Sequence, residues 1–174
     1  MQASKILFLV LMSTSVLVGA CGSSSGLQKN STSKKEASKW VPAMSRSAGI
    51  SEVRTFNRLK SAYIQWQGTP YLWGGDNRNG IDCSAFMQVI FKDYLNHELP
   101  RTTVEQMKVG KKIRKKWANI GDLVFFKTGA TTYHVGVMVD DRYFLHAGTS
   151  RGVMISDIQD RYWSARYLMA RKVL

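Results

Sequence analysis

Asp82-Cys83-Ser84-Ala85-Phe86-Met87-Gln88-Val89-Ile90-Phe91-Lys92-Asp93-Tyr94-Leu95 decides how the rest of this chain is read. Its apolar residues, Ala85, Phe86, Val89, Ile90, Phe91, Tyr94 and Leu95, cover more than one helical face. A helix this apolar is buried on several sides. Asp82 is a suitable N-cap, which places Cys83 in the first turn. A thiol there sits at the positive end of the helix dipole, which favours thiolate. A buried structural cysteine is the plainer alternative.

Upstream, Val53, Phe56, Leu59, Lys60, Tyr63 and Ile64 follow helical spacing, and Gly68-Thr69-Pro70 ends that helix. Tyr71-Leu72-Trp73-Gly74-Gly75 and a polar loop from Asp76 to Gly80 link the two helices. Downstream, Pro100-Arg101 opens a polar, basic stretch through Lys116. The apolar period then becomes two. Strands are expected at Leu123–Phe126, His134–Val139, Tyr143–Ala147, Val153–Ser156 and Tyr167–Val173, with a hairpin turn at Asp140-Asp141. Helices followed by antiparallel strands give an α+β fold.

Three histidines are present: His97, His134 and His146. His97 lies in a polar loop and reads as a surface residue. His134 opens one strand, and His146 lies near the end of the next. Val135, Val137 and Val139 alternate onto the expected core side, leaving His134, Gly136 and Met138 on the other. A hairpin centred on Asp140 would set His134 directly opposite His146. A two-residue Asp140-Asp141 turn would put the imidazoles on opposite faces. In the first register Cys83, His134 and His146 form a nucleophile, a base and an orienting group. Their alternative use as a three-ligand zinc site is chemically allowed, but nothing in the spacing demands a metal.

The chain has 174 residues, which suits one domain plus a short extension. It is 44% hydrophobic and 11% aromatic, enough for a packed core. Two cysteines exclude a disulfide scaffold. Lys5 and the apolar run Ile6–Val18 form a secretory signal over residues 1–20, too short to span a membrane comfortably. Val18-Gly19-Ala20-Cys21 resembles the lipobox of bacterial lipoproteins. That resemblance implies cleavage before Cys21 and acylation of its thiol. Gly22, in place of Asp, implies the outer membrane, facing the periplasm, where the organism has one. An acylated Cys21 leaves Cys83 as the one thiol, unusual in an oxidising compartment and suggestive of a reactive role.

Residues 21–48 read as a flexible tether, rich in Ser, Lys and Gly. Its cations, Lys29, Lys34, Lys35, Lys39 and Arg46, face Glu36 alone. The net charge of +13 suggests an anionic partner such as membrane or wall polymer. Export argues against nucleic acid. Residues 49–174 are left as the folded, catalytic domain.

Several segments together carry a family resemblance. Asp82-Cys83-Ser84-Ala85-Phe86 resembles the catalytic motif of the NlpC family of papain-like cell-wall peptidases. Pro70-Tyr71-Leu72-Trp73-Gly74-Gly75, Leu99-Pro100-Arg101-Thr102, His134-Val135-Gly136-Val137 and Leu145-His146-Ala147 resemble further family segments, in the family's order. His134 follows Cys83 by 51 residues and precedes His146 by 12. Ala85 departs from the family's usual Gly, a one-methyl change.

The resemblance implies a papain-like NlpC fold, with the nucleophile at a helix N-terminus packed on an antiparallel sheet. It implies Cys83 as nucleophile, His134 as general base and His146 as its orienter. Tyr71 would bind or polarise the scissile carbonyl, with the Cys83 N–H as oxyanion donor. Asp82 and Ser84 would line the acyl-donor side, or simply cap the helix. The implied activity is peptidoglycan endopeptidase, cofactor-free and monomeric, with the D-γ-glutamyl–diamino acid bond favoured. A D-alanyl–diaminopimelyl crosslink is the alternative bond, and amide transfer an alternative reaction. A lipid-anchored, non-enzymatic wall-binding module is the remaining reading.

Overall fold

The computed structural model describes residues 49–174. The signal segment, the tether and Cys21 lie outside the described residues. Helix α1 (Ile50–Trp66) buries Phe56, Leu59, Ala62 and Trp66, an i, i+3, i+6, i+10 stripe. A two-stranded hairpin, β1 (Asp76–Asn77) and β2 (Gly80–Ile81), leads into α2 (Cys83–Val89). Asp82 caps α2, accepting the Ala85 N–H at 2.7 Å. The expected single helix to Leu95 instead loosens into a π-helical turn over Ile90–Tyr94. The widened turn keeps Ile90 and Phe91 fully buried.

The polar, basic stretch, to which the sequence assigned no element, holds three short ones: α3 (Thr103–Gln106), β3 (Lys111–Ile113) and a 3₁₀ turn at Lys115–Trp117. The remaining strands are β4 (Leu123–Lys127), β5 (Tyr133–Met138), β6 (Tyr143–Gly148), β7 (Gly152–Asp157) and β8 (Tyr167–Lys172). A short α4 (Arg161–Ser164) precedes β8. The six-stranded sheet is antiparallel, in the order β3-β8-β4-β5-β6-β7.

Both faces of this sheet are covered. On one side Val135, Val137, Val139 and Leu145 pack with Phe86, Ile90 and Phe91 in the main core. On the other, Val124, Phe126, Met138, Phe144 and Ile158 form a second core, walled by Trp163 and Tyr167. The histidine face is therefore an aromatic interior, not a solvated surface.

The β5–β6 hairpin is centred on Asp141, because Val137 faces Leu145 and Met138 faces Phe144. That is one residue later than the register that sets His134 opposite His146. A one-residue move of the centre shifts the cross-strand partner by two, so both imidazoles keep the same face and stand diagonally. Gly136 makes this possible. A Cβ there would lie 2.6 Å from the Phe144 ring and 3.1 Å from His146 Cβ.

Candidate active site

The site is assembled from three segments. Helix α2 presents Cys83 in its first turn. Pro70 O accepts the Ile81 N–H and Ile81 O accepts the Leu72 N–H, which holds Tyr71 against the start of α2. Strands β5 and β6 carry the histidines. The β6–β7 turn is pinned to the Tyr71 segment: Val153 N–H donates to Thr69 O at 2.9 Å. Gly152 has φ +68°, and any Cβ there would meet Thr69 O at 2.0 Å. Tyr71, His134, His146, Ser156 and Trp163 thus share one cavity of about 540 Å³.

Cys83 is buried, 5% exposed, and is a free thiol. Its Sγ lies 3.7 Å from Thr103 Oγ1, and the Val135 N–H also bonds to it. Burial pushes the thiol up, and the Asp82 charge adds to this. The Val135, Thr103 and Ser84 hydrogen bonds oppose the shift without cancelling it. Against the expectation of a favoured thiolate, burial and the neighbouring carboxylate raise the thiol. Among the described residues no hydrogen bond joins this thiol to an imidazole.

His134 Nε2 and His146 Nδ1 are 2.9 Å apart, and His146 Nε2 is 2.8 Å from Ser156 Oγ. This chain runs across β5, β6 and β7. The Trp163 ring lies 5.2 Å from His134 and 5.0 Å from His146, and Phe144 stacks on His146 at 4.7 Å. Burial pushes His134 down to about 4. It also pushes His146 well below the ordinary histidine value, with the His134 and Arg151 charges acting the same way. Both rings are neutral at neutral pH. With Nε2 of His134 engaged, its Nδ1 is the nitrogen left to accept a proton.

The carboxylate of Asp82 is tied down from all sides. Arg101 donates to both of its oxygens, at 2.6 and 3.0 Å, and Ser84 Oγ and the Gly74 N–H also donate to it. Burial opposes the charge, but the hydrogen bonds from Arg101, Ala85 and Ser84 outweigh it and hold the carboxyl below its usual range. Arg101 also donates to Ser84 Oγ at 3.0 Å. Gln106, fully buried, donates to Ser84 O and Pro100 O. Asp82 and Ser84 thus cap and anchor the helix here and, like Cys83 itself, are not among the residues that line the cavity. Tyr71 is raised to about 12, by burial first and then by the Cys83 and Asp82 charges, so its hydroxyl stays a donor.

Sequence reasoning missed Thr103, Ser156, Trp163 and Gln106, and gave Arg101 no role. The capping box Thr102–Glu105, which starts α3, was a readable signal for Thr103. Ser156 shares the face of His146 by period two, once the β6–β7 pairing of His146 with Met154 is known. Trp163 had no such signal. His97 lies outside the cavity, with its ring against Phe91. Among the described residues no three His, Cys, Asp or Glu side chains are grouped to hold a metal ion.

A family model described as the NlpC/P60 family matches residues 68–172, from the loop before Tyr71 to the last strand. The chain belongs to the NlpC/P60 family. It is 42% identical over 125 residues to the Escherichia coli K12 protein named murein DD-endopeptidase MepS/murein LD-carboxypeptidase. That match covers 72% of this chain and 66%, just under two thirds, of the relative. A Haemophilus influenzae protein named probable endopeptidase is 46% identical over 117 residues, covering 66% of this chain and 73% of that one. The crystal structure of the NlpC/p60 domain of the peptidoglycan hydrolase SagA superposes with a TM-score of 0.58 at 27% identity. It covers 68% of this chain and 98% of that domain. The NlpC/P60 fold is an α+β arrangement of helices on an antiparallel sheet, as the sequence led us to expect.

Proposed function

We propose that this chain is a cysteine-type peptidoglycan endopeptidase. The observation that carries the reading is the His134–His146–Ser156 chain sharing a cavity with Tyr71, with Cys83 bonded to the Val135 N–H next to His134, in a family that includes named murein endopeptidases. In the resting site the thiol is protonated and the imidazoles neutral, so His134 acts as a general base and not as half of a preformed ion pair. As substrate enters, the Cys83 proton passes to His134 Nδ1 and Sγ bonds to the scissile carbonyl carbon. The carbonyl oxygen gains the negative charge, and the Cys83 N–H and the Tyr71 hydroxyl donate to it. The first-turn amides of a helix have no intrahelical acceptor and suit this task.

His134 then gives its proton to the departing amine, and the C–N bond breaks to leave a thioacyl enzyme. Water, deprotonated by His134, hydrolyses the thioester and restores the thiol. His146 Nδ1 accepts from His134 Nε2–H throughout, and its own Nε2–H donates to Ser156. That fixes the tautomers needed and stabilises the transient imidazolium.

The bond cut has two readings. The family resemblance favours D-γ-glutamyl–diamino acid bonds. The DD-endopeptidase name of the E. coli relative favours the D-alanyl–diaminopimelyl crosslink. We also infer export and acylation at Cys21 from the Lys5, Ile6–Val18 and Val18–Cys21 segments, with the outer membrane as destination. Wild-type and Cys83→Ala protein, incubated with tetrapeptide muropeptides and crosslinked dimers, test the proposal by mass spectrometry. Dimers converted to intact monomers assign the crosslink bond, and cleaved monomer stems assign the γ-glutamyl bond. Cys83→Ala is expected to abolish either product. Cleavage retained by Cys83→Ala, or wall binding without cleavage by wild type, would overturn the enzyme reading.

A further inference from the structure

At the opposite end of the sheet from the histidines, residues 107–118 carry Lys108, Lys111, Lys112, Arg114, Lys115 and Lys116 and no acidic residue. All six are exposed. Strand β3 pairs with β8 so that Lys111 faces Lys172 and Lys112 faces Arg171. Like charges directly opposed across strands destabilise a sheet. Lysines on an edge strand guard against pairing with other chains, but that accounts for β3 and not for the matching cations on β8. Among the described residues the two salt bridges are Arg101–Asp82 and Arg142–Asp157, so no carboxylate neutralises this edge by ion pairing. The acidic groups that feel it are Glu105, through Lys108, Asp122, through Lys172, and Asp157, through Lys115.

Trp117 projects from the same edge, 61% exposed, with Arg114 at 5.1 Å and Lys116 at 5.3 Å from its ring. We infer that this edge, Lys108 to Trp117 with Arg171 and Lys172, docks the protein on an anionic phospholipid surface. An aromatic ring among cations suits a bilayer interface, where the ring sits at headgroup level and the cations meet phosphates. A headgroup plane asks for no groove, and the edge walls neither of the two large cavities, at β5–β7 and beside α1. Three strand spacings, roughly 14 Å, separate β3 from β5, so a membrane held at β3 meets a different part of the sheet from the histidine strands.

The test uses the full chain carrying Cys21→Ser, which has no acyl group. Partitioning is measured onto vesicles of pure phosphatidylcholine and of phosphatidylcholine with phosphatidylglycerol. The neutral vesicles report binding by every apolar segment, Ile6–Val18 included. Replacing Lys111, Lys112, Lys115 and Lys116 by Gln is expected to weaken binding to the anionic vesicles by more than about 30-fold, since each surface cation contributes roughly 5-fold. Trp117→Ala is expected to cost about 3- to 10-fold on the same vesicles. Binding to neutral vesicles should stay unchanged in the Gln variant. Its melting temperature should hold or rise as the opposed cations are relieved, which shows the variant to be folded.

Unchanged anionic binding would overturn the inference, leaving the tether cations as the whole attraction. An equal loss on neutral vesicles would also overturn it. So would a variant that keeps vesicle binding but loses binding to isolated peptidoglycan, which would make the edge a polymer surface.

Discussion

Two polar clusters flank Cys83, the proposed nucleophile, and they are built on opposite principles. At the start of α2, Asp82, Arg101 and Ser84 form a charged knot in which Asp82 caps the helix and Arg101 ties that cap to the segment before α3. On β5–β7, His134, His146 and Ser156 form an uncharged chain walled by Phe144 and Trp163. The knot holds ions because its carboxylate is paired and capped, and it has no proton to move. In the proposed mechanism the histidine chain exchanges a proton, and its surroundings suppress standing charge instead. The first cluster positions Cys83, and the second keeps His134 neutral.

The largest expected effect falls on the neutral cluster. His146→Ala removes the acceptor that orients His134 and leaves a buried imidazole nitrogen unpaired. Losing an orienting partner of a catalytic imidazole costs on the order of 10²–10⁴-fold in kcat. His146→Asn, which keeps an acceptor oxygen, should recover most of that loss. If the two variants were equally impaired, the role of His146 would be packing and not orientation.

Acid should break the same cluster while sparing the knot. His134 protonates near 6.5 when unfolded but near 4 in the fold. The unfolded chain therefore binds a proton that the native state refuses between those values. Stability is full above pH 6.5 and falls as pH drops towards 4, by about 3 kcal/mol for this one group. His146 adds loss in the same direction. Urea unfolding midpoints measured from pH 7.5 to 4 would show the fall, and His134→Phe should flatten it. A neutral base in the resting enzyme also places the acid limb of kcat/KM below pH 6.5.

The knot should answer to a different perturbation. Arg101→Ala strips a bidentate partner from a nearly buried carboxylate, while the Arg101 side chain as a whole is 41% exposed. A loss of about 2 kcal/mol in unfolding free energy is expected. Arg101→Lys should recover part of it, since a point charge cannot span both oxygens. The acid limb of activity should stay where it is in both variants, because Arg101 touches neither imidazole. A shifted limb would show that the two clusters are one.

This contrast also sorts what could be read in the sequence. Local signals were legible. The Asp82 cap, the α1 stripe and the period-two strands each depend on neighbours a few residues away, and they led to Cys83, His134 and His146. Partners set by long-range register were not. The pairing of β6 with β7 brings Ser156 to His146, and no local pattern fixes it. The hairpin centre at Asp141 instead of Asp140 was a one-residue ambiguity between two adjacent aspartates. Trp163 arrives from a short helix that bears no mark of the site it covers. Cys83 shows a second kind of limit: the helix start was readable, but the burial that raises its thiol is a property of the assembled core.

Ser156 gives the smallest expected effect and the sharpest comparison. Its hydroxyl is the last link of the neutral chain, 2.8 Å from His146 Nε2, on a strand residue only partly buried. Ser156→Ala removes one hydrogen bond to an uncharged ring, worth about 1 kcal/mol. Water entering through the cavity can take the vacated place, because Ser156 lines it. Activity should therefore fall less than about tenfold, mostly in kcat, with KM and folding stability nearly unchanged. The double variant Ser156→Ala/His146→Ala should be no worse than His146→Ala alone, since Ser156 acts only through that ring. Additive losses would mean that Ser156 touches the substrate directly, and the cavity wall would then gain a binding residue in place of a positioning one.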